Sequence, residues 1–256
     1  MEKNTTKKWF LICACKPEWN ELKKKARFEI NHTLHNLNFY TGQFENREFL
    51  LSQIGIGMKR AHNHATTLLA SLVTSPKGII HFGLAGGLGE KMKEGEVILP
   101  TQIVSPTGET ISPSSDLVQQ AESLLQKLEI PFTKGNLFTS DKVLETPIEK
   151  KEAGKKWGAI AVDMESFPYA KKCSERGIPY LSIRAIFDPL EWDLHLPGNG
   201  SAHLMKEEGD LNTSFFVKEA LKNPKFLMSL PHYQSAASKG NKVLASFLLA
   251  SLKNWG

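Results

Sequence analysis

The chain has 256 residues, with 32 Lys and Arg against 27 Asp and Glu, a net charge of +5, 41% hydrophobic residues and 23% charged ones. That is enough chain for one large α/β domain with a substantial core and an ordinary soluble surface. No apolar run approaches a membrane span, and the lysines are spread along the whole length without a nucleic-acid reading motif, so membrane-spanning and nucleic-acid-binding classes are excluded.

The three cysteines, Cys13, Cys15 and Cys173, make neither a zinc spacing nor a disulfide framework, and a reduced, cytoplasmic setting is expected. Cys13 and Cys15 stand two apart in an apolar run and are expected on one face of a strand, as small core residues. The lysines ahead of Trp9 look superficially like the start of a signal peptide. The apolar run that follows is too short, and Lys16-Pro17-Glu18 offers no cleavage site.

In chain order, residues 1–8 read as a polar tail, Trp9–Ala14 as a buried strand and Glu18–Phe28 as a helix. Glu18 at that turn is either a dipole-stabilising acid or a base aimed into a cleft. Phe39–Gln43 and Glu48–Ile54 form a hairpin pattern around Glu45-Asn46-Arg47, and Gly55-Ile56-Gly57 permits a sharp exit into a helix over Lys59–Leu72. His62 and His64 lie two apart on that helix, point to different faces and make no metal site. Gly78–Phe82 is a further buried strand.

The glycines from Gly83 to Gly89 lack the spacing of a dinucleotide fingerprint and the Lys of a phosphate loop. They are expected to leave a backbone bare enough for a sugar to approach. Ser114–Leu128 reads as an amphipathic helix and Gly135–Thr139 as a strand. Residues 189–210 form an irregular segment, and helices are expected over 211–222 and 233–254, divided at Asn223-Pro224 and Leu230-Pro231. Without repeats or linkers, residues 1–256 are expected to form a single domain.

The stretch from Ile160 to Asp188 carries the chemistry. Ala159–Val162 reads as a strand, Asp163-Met164-Glu165-Ser166 leads into a helix, Gly177 is placed as its C-terminal glycine, and Tyr180–Phe187 is a strand finishing on Asp188. Glu165 and Asp188 each follow a strand, at the edge where ligands collect in α/β sheets. Read as residues alone, both are equally ordinary loop acids.

The segment resembles the signature of the purine nucleoside phosphorylase and methylthioadenosine/S-adenosylhomocysteine nucleosidase superfamily. Ser52–Gly57, Gly83–Leu88, Glu94–Leu99 and Gly135–Asp141 match in the same order, so the resemblance spans residues 9–188. It implies a three-layer α/β sandwich with a mixed central sheet flanked by helices. It also implies cleavage of the N-glycosidic bond of a purine nucleoside, with adenine as the expected base.

In that resemblance Asp188 is the acid that protonates the departing purine, and burial must raise its pKa for the task. Glu165 stays ionised and grips the ribose hydroxyls, Met164 packs under the sugar, and Ala85 and Gly86 line the ribose side. Val143 and Phe167 fall to the base, and Glu18 aligns with the acid that activates water. No metal or cofactor is implied. Phosphate would be a co-substrate only for a phosphorylase, with Arg60 as its candidate ligand.

The family's phosphate-binding arginine is replaced by His81, and Leu84 stands for a common Ser, so water is the favoured nucleophile. Ser140-Asp141-Lys142-Val143-Leu144 lacks the family's glycine and aromatic residue, which Phe167 or Trp192 would have to supply. Asp163–Ser166, Asp188-Pro189, Leu196-Pro197 and the tail helices look more narrowly like the hopanoid-associated branch. That branch implies adenosylhopane, a lipid-linked nucleoside, as substrate, and a role in hopanoid biosynthesis. Relatives are commonly dimers or larger, so a homo-oligomer is expected. A nucleoside-binding protein with lapsed catalysis is the alternative from another class.

Overall fold

Trp9–Cys13 (β1) has every side chain buried and lies between two parallel neighbours, Arg47–Gln53 (β4) and Gly78–Gly87 (β5). The computed structural model describes residues 7–34, 37–72, 74–196 and 222–255. Most of the tail at 1–8, residues 197–210 of the irregular segment and the helix expected at 211–222 lie outside them, apart from Lys7, Lys8 and Lys222.

Helix α1 (Lys16–Lys23) follows β1, then β2 (Arg27–Leu34), β3 (Leu37–Phe44) and β4, helix α2 (Met58–Ser71), β5, β6 (Val97–Val104) and the short β7 (Thr110–Ile111). Next come α3 (Ser115–Lys127), β8 (Phe132–Thr139), α4 (Pro147–Trp157), β9 (Ala159–Asp163), α5 (Ser166–Glu175), β10 (Tyr180–Asp188) and α6 (Pro224–Asn254). The ten strands form one mixed sheet in the order β10-β6-β8-β9-β5-β1-β4-β3-β2, with β7 on β6. Because β5 also pairs with β10, the half made of β5, β10, β6, β8 and β9 closes on itself, and β1, β4, β3 and β2 extend from it as a wing.

Two apolar clusters cover the sheet. One joins Trp19 and Leu22 of α1, Leu117 and Leu124 of α3 and Leu244, Phe247 and Leu248 of α6. The other joins Ala61, Ala65 and Leu68 of α2 with Phe167 and Ala170 of α5. These are the expected three layers.

Three expectations need correction. Helix α1 stops at Lys23, because Arg27 onward pairs with β3 as a strand whose Phe28 packs on Trp19 with ring centres 5.0 Å apart. Cys15 lies outside β1, as the residue preceding α1, and is only half-buried, whereas Cys13 is core. Helix α6 runs unbroken for 31 residues through Pro231. Pro231 removes one helical hydrogen bond, from the carbonyl of Leu227, and Leu227 and Met228 are exposed there, so water can replace it.

Helix α4 was hidden because its side chains are mostly polar. Its start is nonetheless written as Thr146-Pro147-Ile148-Glu149: the Thr146 hydroxyl accepts from Glu149 N at 3.2 Å and Glu149 Oε2 accepts from Thr146 N at 3.2 Å. Gly158, left-handed at φ 56°, ends it.

Candidate active site

Strand β5 is the axis of the site, because three acid-bearing elements converge on its last residues. β10 runs parallel to it with Asp188 opposite Gly86, and β9 runs antiparallel with Val162 opposite the same Gly86. A Cβ added at Gly86 would stand 3.0 Å from Val162 Cγ1 and 3.2 Å from Asp188 Oδ1. One added at Gly83 would stand 2.5 Å from Glu18 Oε1 and 2.6 Å from Arg184 Nη1. Without side chains, these glycines let the acids stand directly against the strand.

Asp188 is buried, and its Oδ2 lies 2.7 Å from the ammonium of Lys150, whose side chain is wholly out of solvent. Burial pushes the carboxyl up to about 6, and the neighbouring lysine charge holds it from rising further. That places a proton on Asp188 within reach of neutral pH, as a general acid requires.

The two oxygens of Glu18 face different elements. Oε2 accepts from Ala14 N at 2.7 Å and Cys15 N at 3.1 Å, closing the start of α1, while Oε1 accepts from Leu84 N at 2.9 Å and faces Gly83. Burial raises its pKa, against the pull of Arg184 and these backbone donors. Gly83 and Gly86 are three residues apart on one strand, about 10 Å at ~3.3 Å per residue. Glu18 and Asp188 therefore flank a single stretch of backbone.

Glu165 Oε1 accepts from Gly57 N at 2.6 Å, and Gly57 presents that N–H from φ 104°, a conformation only glycine adopts readily. Burial first, then the nearby Asp163, pushes Glu165 up to about 8. Burial thus favours the neutral form of Glu165, against the ionised form that the resemblance implies.

Arg184, fully buried in mid-β10, was missed from sequence. Its Nη2 is 2.7 Å from Asp163 Oδ2, 2.8 Å from Ser166 Oγ and 3.0 Å from His81 Nε2. A guanidinium only donates, so His81 Nε2 is the acceptor and its Nδ1–H donates to Tyr180 Oη at 2.9 Å. His81 is thus neutral, its pKa lowered by burial and by Arg184. It supports the arginine; it does not replace one. A charged residue inside an apolar strand was the available signal, since a buried arginine demands partners.

A cavity of about 1070 Å³ is walled by Gly57, Arg60, Val143, Met164 and Phe167, together with residues of the 105–107 and 141–149 segments. Arg60, Val143, Met164 and Phe167 are candidate site residues of the sequence. Asp188, Glu18, Glu165, Ala85 and Gly86 are not part of that wall, and Gly57 connects it to Glu165. Trp192 is occupied elsewhere, with its ring 4.0 Å from His232. Among the described residues no group of His, Cys, Asp and Glu could hold a metal ion.

A family profile described as the phosphorylase superfamily matches residues 8–198. The chain belongs to that superfamily. It is 26% identical over 174 residues to a 5′-methylthioadenosine/S-adenosylhomocysteine nucleosidase of Marinomonas sp. (strain MWYL1), covering 61% of this chain and 74% of that protein. The nucleosidase of the same description from Staphylococcus aureus (strain JH9) is 24% identical over 195 residues, 70% of this chain and 85% of the relative. Among solved structures, futalosine hydrolase of Helicobacter pylori strain 26695 superposes with a TM-score of 0.70 at 20% identity, covering 94% of this chain and 97% of that one. The Campylobacter jejuni nucleosidase reaches 0.72 at 16% identity, covering 95% and 97%. These two establish that the superfamily's α/β fold is shared across nearly the whole chain.

Proposed function

We propose that this phosphorylase-superfamily chain hydrolyses the N-glycosidic bond of a purine nucleoside, most naturally a 5′-substituted adenosine. The observation that carries the reading is the arrangement on β5: a buried acid of pKa about 6 at Gly86 and a buried carboxylate beside a guanidinium at Gly83. The nucleosidase names of the curated relatives point the same way.

Heterolysis of the C1′–N9 bond leaves its electron pair on the purine and positive charge on the sugar. Asp188 gives its proton to the imidazole nitrogen of the purine, so the base departs neutral. Water adds to C1′ and loses a proton to Glu18, whose raised pKa makes it a competent base, with Arg184 Nη1 as the adjoining donor. Glu165 receives the ribose hydroxyls, Met164 supports the sugar, and Val143 and Phe167 border the base. Paired acids of this kind serve glycoside hydrolysis elsewhere for the same electronic reason.

Water is favoured over phosphate because a phosphate at Gly83 would meet the Glu18 carboxyl, and Arg184 is already committed to Asp163. Phosphorolysis would have to draw on Arg60, on the cavity wall. The cavity slightly exceeds the roughly 300–1,000 Å³ usual for small-molecule sites, which suits a nucleoside with a bulky 5′ group such as adenosylhopane. A homo-oligomer belongs to the same proposal.

The test is base release from adenosine, inosine, methylthioadenosine, S-adenosylhomocysteine and a lipid-linked adenosine, with and without phosphate. Release without phosphate supports hydrolysis, and strict phosphate dependence overturns it. Binding of a nucleoside with no release from any of them would make the chain a nucleoside-binding protein.

A further inference from the structure

Lys150 is an anomaly of the chain. It sits on a helix whose other charged residues are exposed or half-buried, yet its own side chain has no solvent exposure. Burying an ammonium is costly unless every proton finds an acceptor. Here the count closes: Asp188 Oδ2 at 2.7 Å, Pro189 O at 2.9 Å and Trp192 O at 3.0 Å take its three N–H groups. With all three donors committed, Lys150 has none left for a ligand and can act on one only through Asp188.

We infer that Lys150 is the positioning residue of the acid: it pins Oδ2 of Asp188 so that the transferable proton sits on Oδ1, the oxygen that does not hold the ammonium, and it stabilises the carboxylate left after transfer. The inference rests on the function proposed above. The proton accounting is simple. Asp188 loses the Oδ1 proton to the purine nitrogen as the C1′–N9 bond breaks, and the resulting carboxylate stays paired with the ammonium, which keeps its three protons throughout. Solvent returns a proton to Asp188 after the base leaves.

Lys150 is the charged side chain that bears on Asp188. The adjoining acid Glu149 is engaged away from it, bound to Lys142 at 2.8 Å and to Thr146. A purely structural role, tying α4 to the segment after β10, would use the two carbonyl contacts and not the carboxylate. The two roles differ in what they do to the titration of the acid.

The experiment compares Lys150→Met and Lys150→Arg with the wild type. Without the cation, burial acts unopposed and Asp188 should hold its proton to higher pH. The alkaline limb of kcat/KM is expected to move up by at least about one pH unit and kcat to fall about tenfold or more, with KM within about threefold. Lys150→Arg should bring the limb back. The carboxyl carbon of Asp188, followed by NMR in the ligand-free proteins, should show the same upward shift. An unmoved titration in Lys150→Met overturns the inference, as does lost turnover with an unmoved limb. If Lys150→Met does not fold, Lys150→Gln, which still donates to Pro189 and Trp192, replaces it under the same criteria. If the wild type releases no base from any nucleoside, the proposed function fails, and the NMR titration still decides whether Lys150 sets the acid.

Discussion

Arg184 Nη2 lies 2.7 Å from Asp163 Oδ2 with both side chains out of solvent, tying the middle of β10 to the end of β9. That pair holds together the strand that ends in Asp188 and the strand that leads to Glu165, and it brings the guanidinium against Glu18 at Gly83. Replacing Arg184 with Met strands Asp163 without its counter-charge. The expected loss is about 3–5 kcal/mol of unfolding free energy, read from urea or guanidinium titration, with activity lost as well. A variant as stable as the wild type would show that the pair does not organise the strand ends.

Asp188→Asn should lower base release from unactivated purine nucleosides by about a hundredfold or more. It also leaves the Lys150 ammonium buried without an anion, so it should cost stability, by about 3–5 kcal/mol. The double variant Asp188→Asn with Lys150→Met should regain much of that stability and none of the activity, because it removes the stranded charge together with the acid. Denaturant unfolding and base release measure the two effects separately. An active Asp188→Asn enzyme would mean that another group supplies the proton.

Gly86→Ala sets a methyl group 3.0 Å from Val162 Cγ1 and 3.2 Å from Asp188 Oδ1, close enough to displace the carboxyl by a few tenths of an ångström. Small misplacements of a reacting group are expensive in rate. Turnover should fall about tenfold, while the melting temperature moves by no more than about 4 °C, the equivalent of ~1 kcal/mol. Unchanged turnover would show that Asp188 does not depend on its seat against β5.

Glu165, pushed up to about 8 by burial and by Asp163, gives a pH prediction with a definite sign. A carboxyl whose pKa is raised on folding contributes fully below its unfolded value of about 4.3 and loses that contribution as pH rises through the folded value. Glu165→Gln, which cannot ionise, should therefore match the wild type in melting temperature near pH 5. It should exceed the wild type by at least about 2 °C near pH 9. Parallel curves across that range would place the ionisation of Glu165 elsewhere.

Much of the frame was legible in the residues themselves. Trp9–Cys13 is an unbroken apolar run and is wholly buried, and the periodic helices α2 and α3 fall within a residue or two of their expected bounds. Gly177, read as a helix-ending glycine, has φ 63°. Asp188 and Glu165 could be singled out because an acid directly after an apolar strand leaves a local mark in the chain.

What only the tertiary structure decided are the partners of those acids. Lys150 stands among lysines on a polar-patterned helix and reads as solvated, and it is buried only because the segment after β10 folds across it. Arg184 and Asp163 are 21 positions apart and meet through strand register. Glu18 and Asp188 come to stand beside the glycines of β5 only through the packing of α1 and β10 on that strand. Sequence pattern records whether one residue prefers water or the interior. The pKa of a buried acid depends on which charges and dipoles the fold brings within a few ångströms, and that is a property of three-dimensional neighbours.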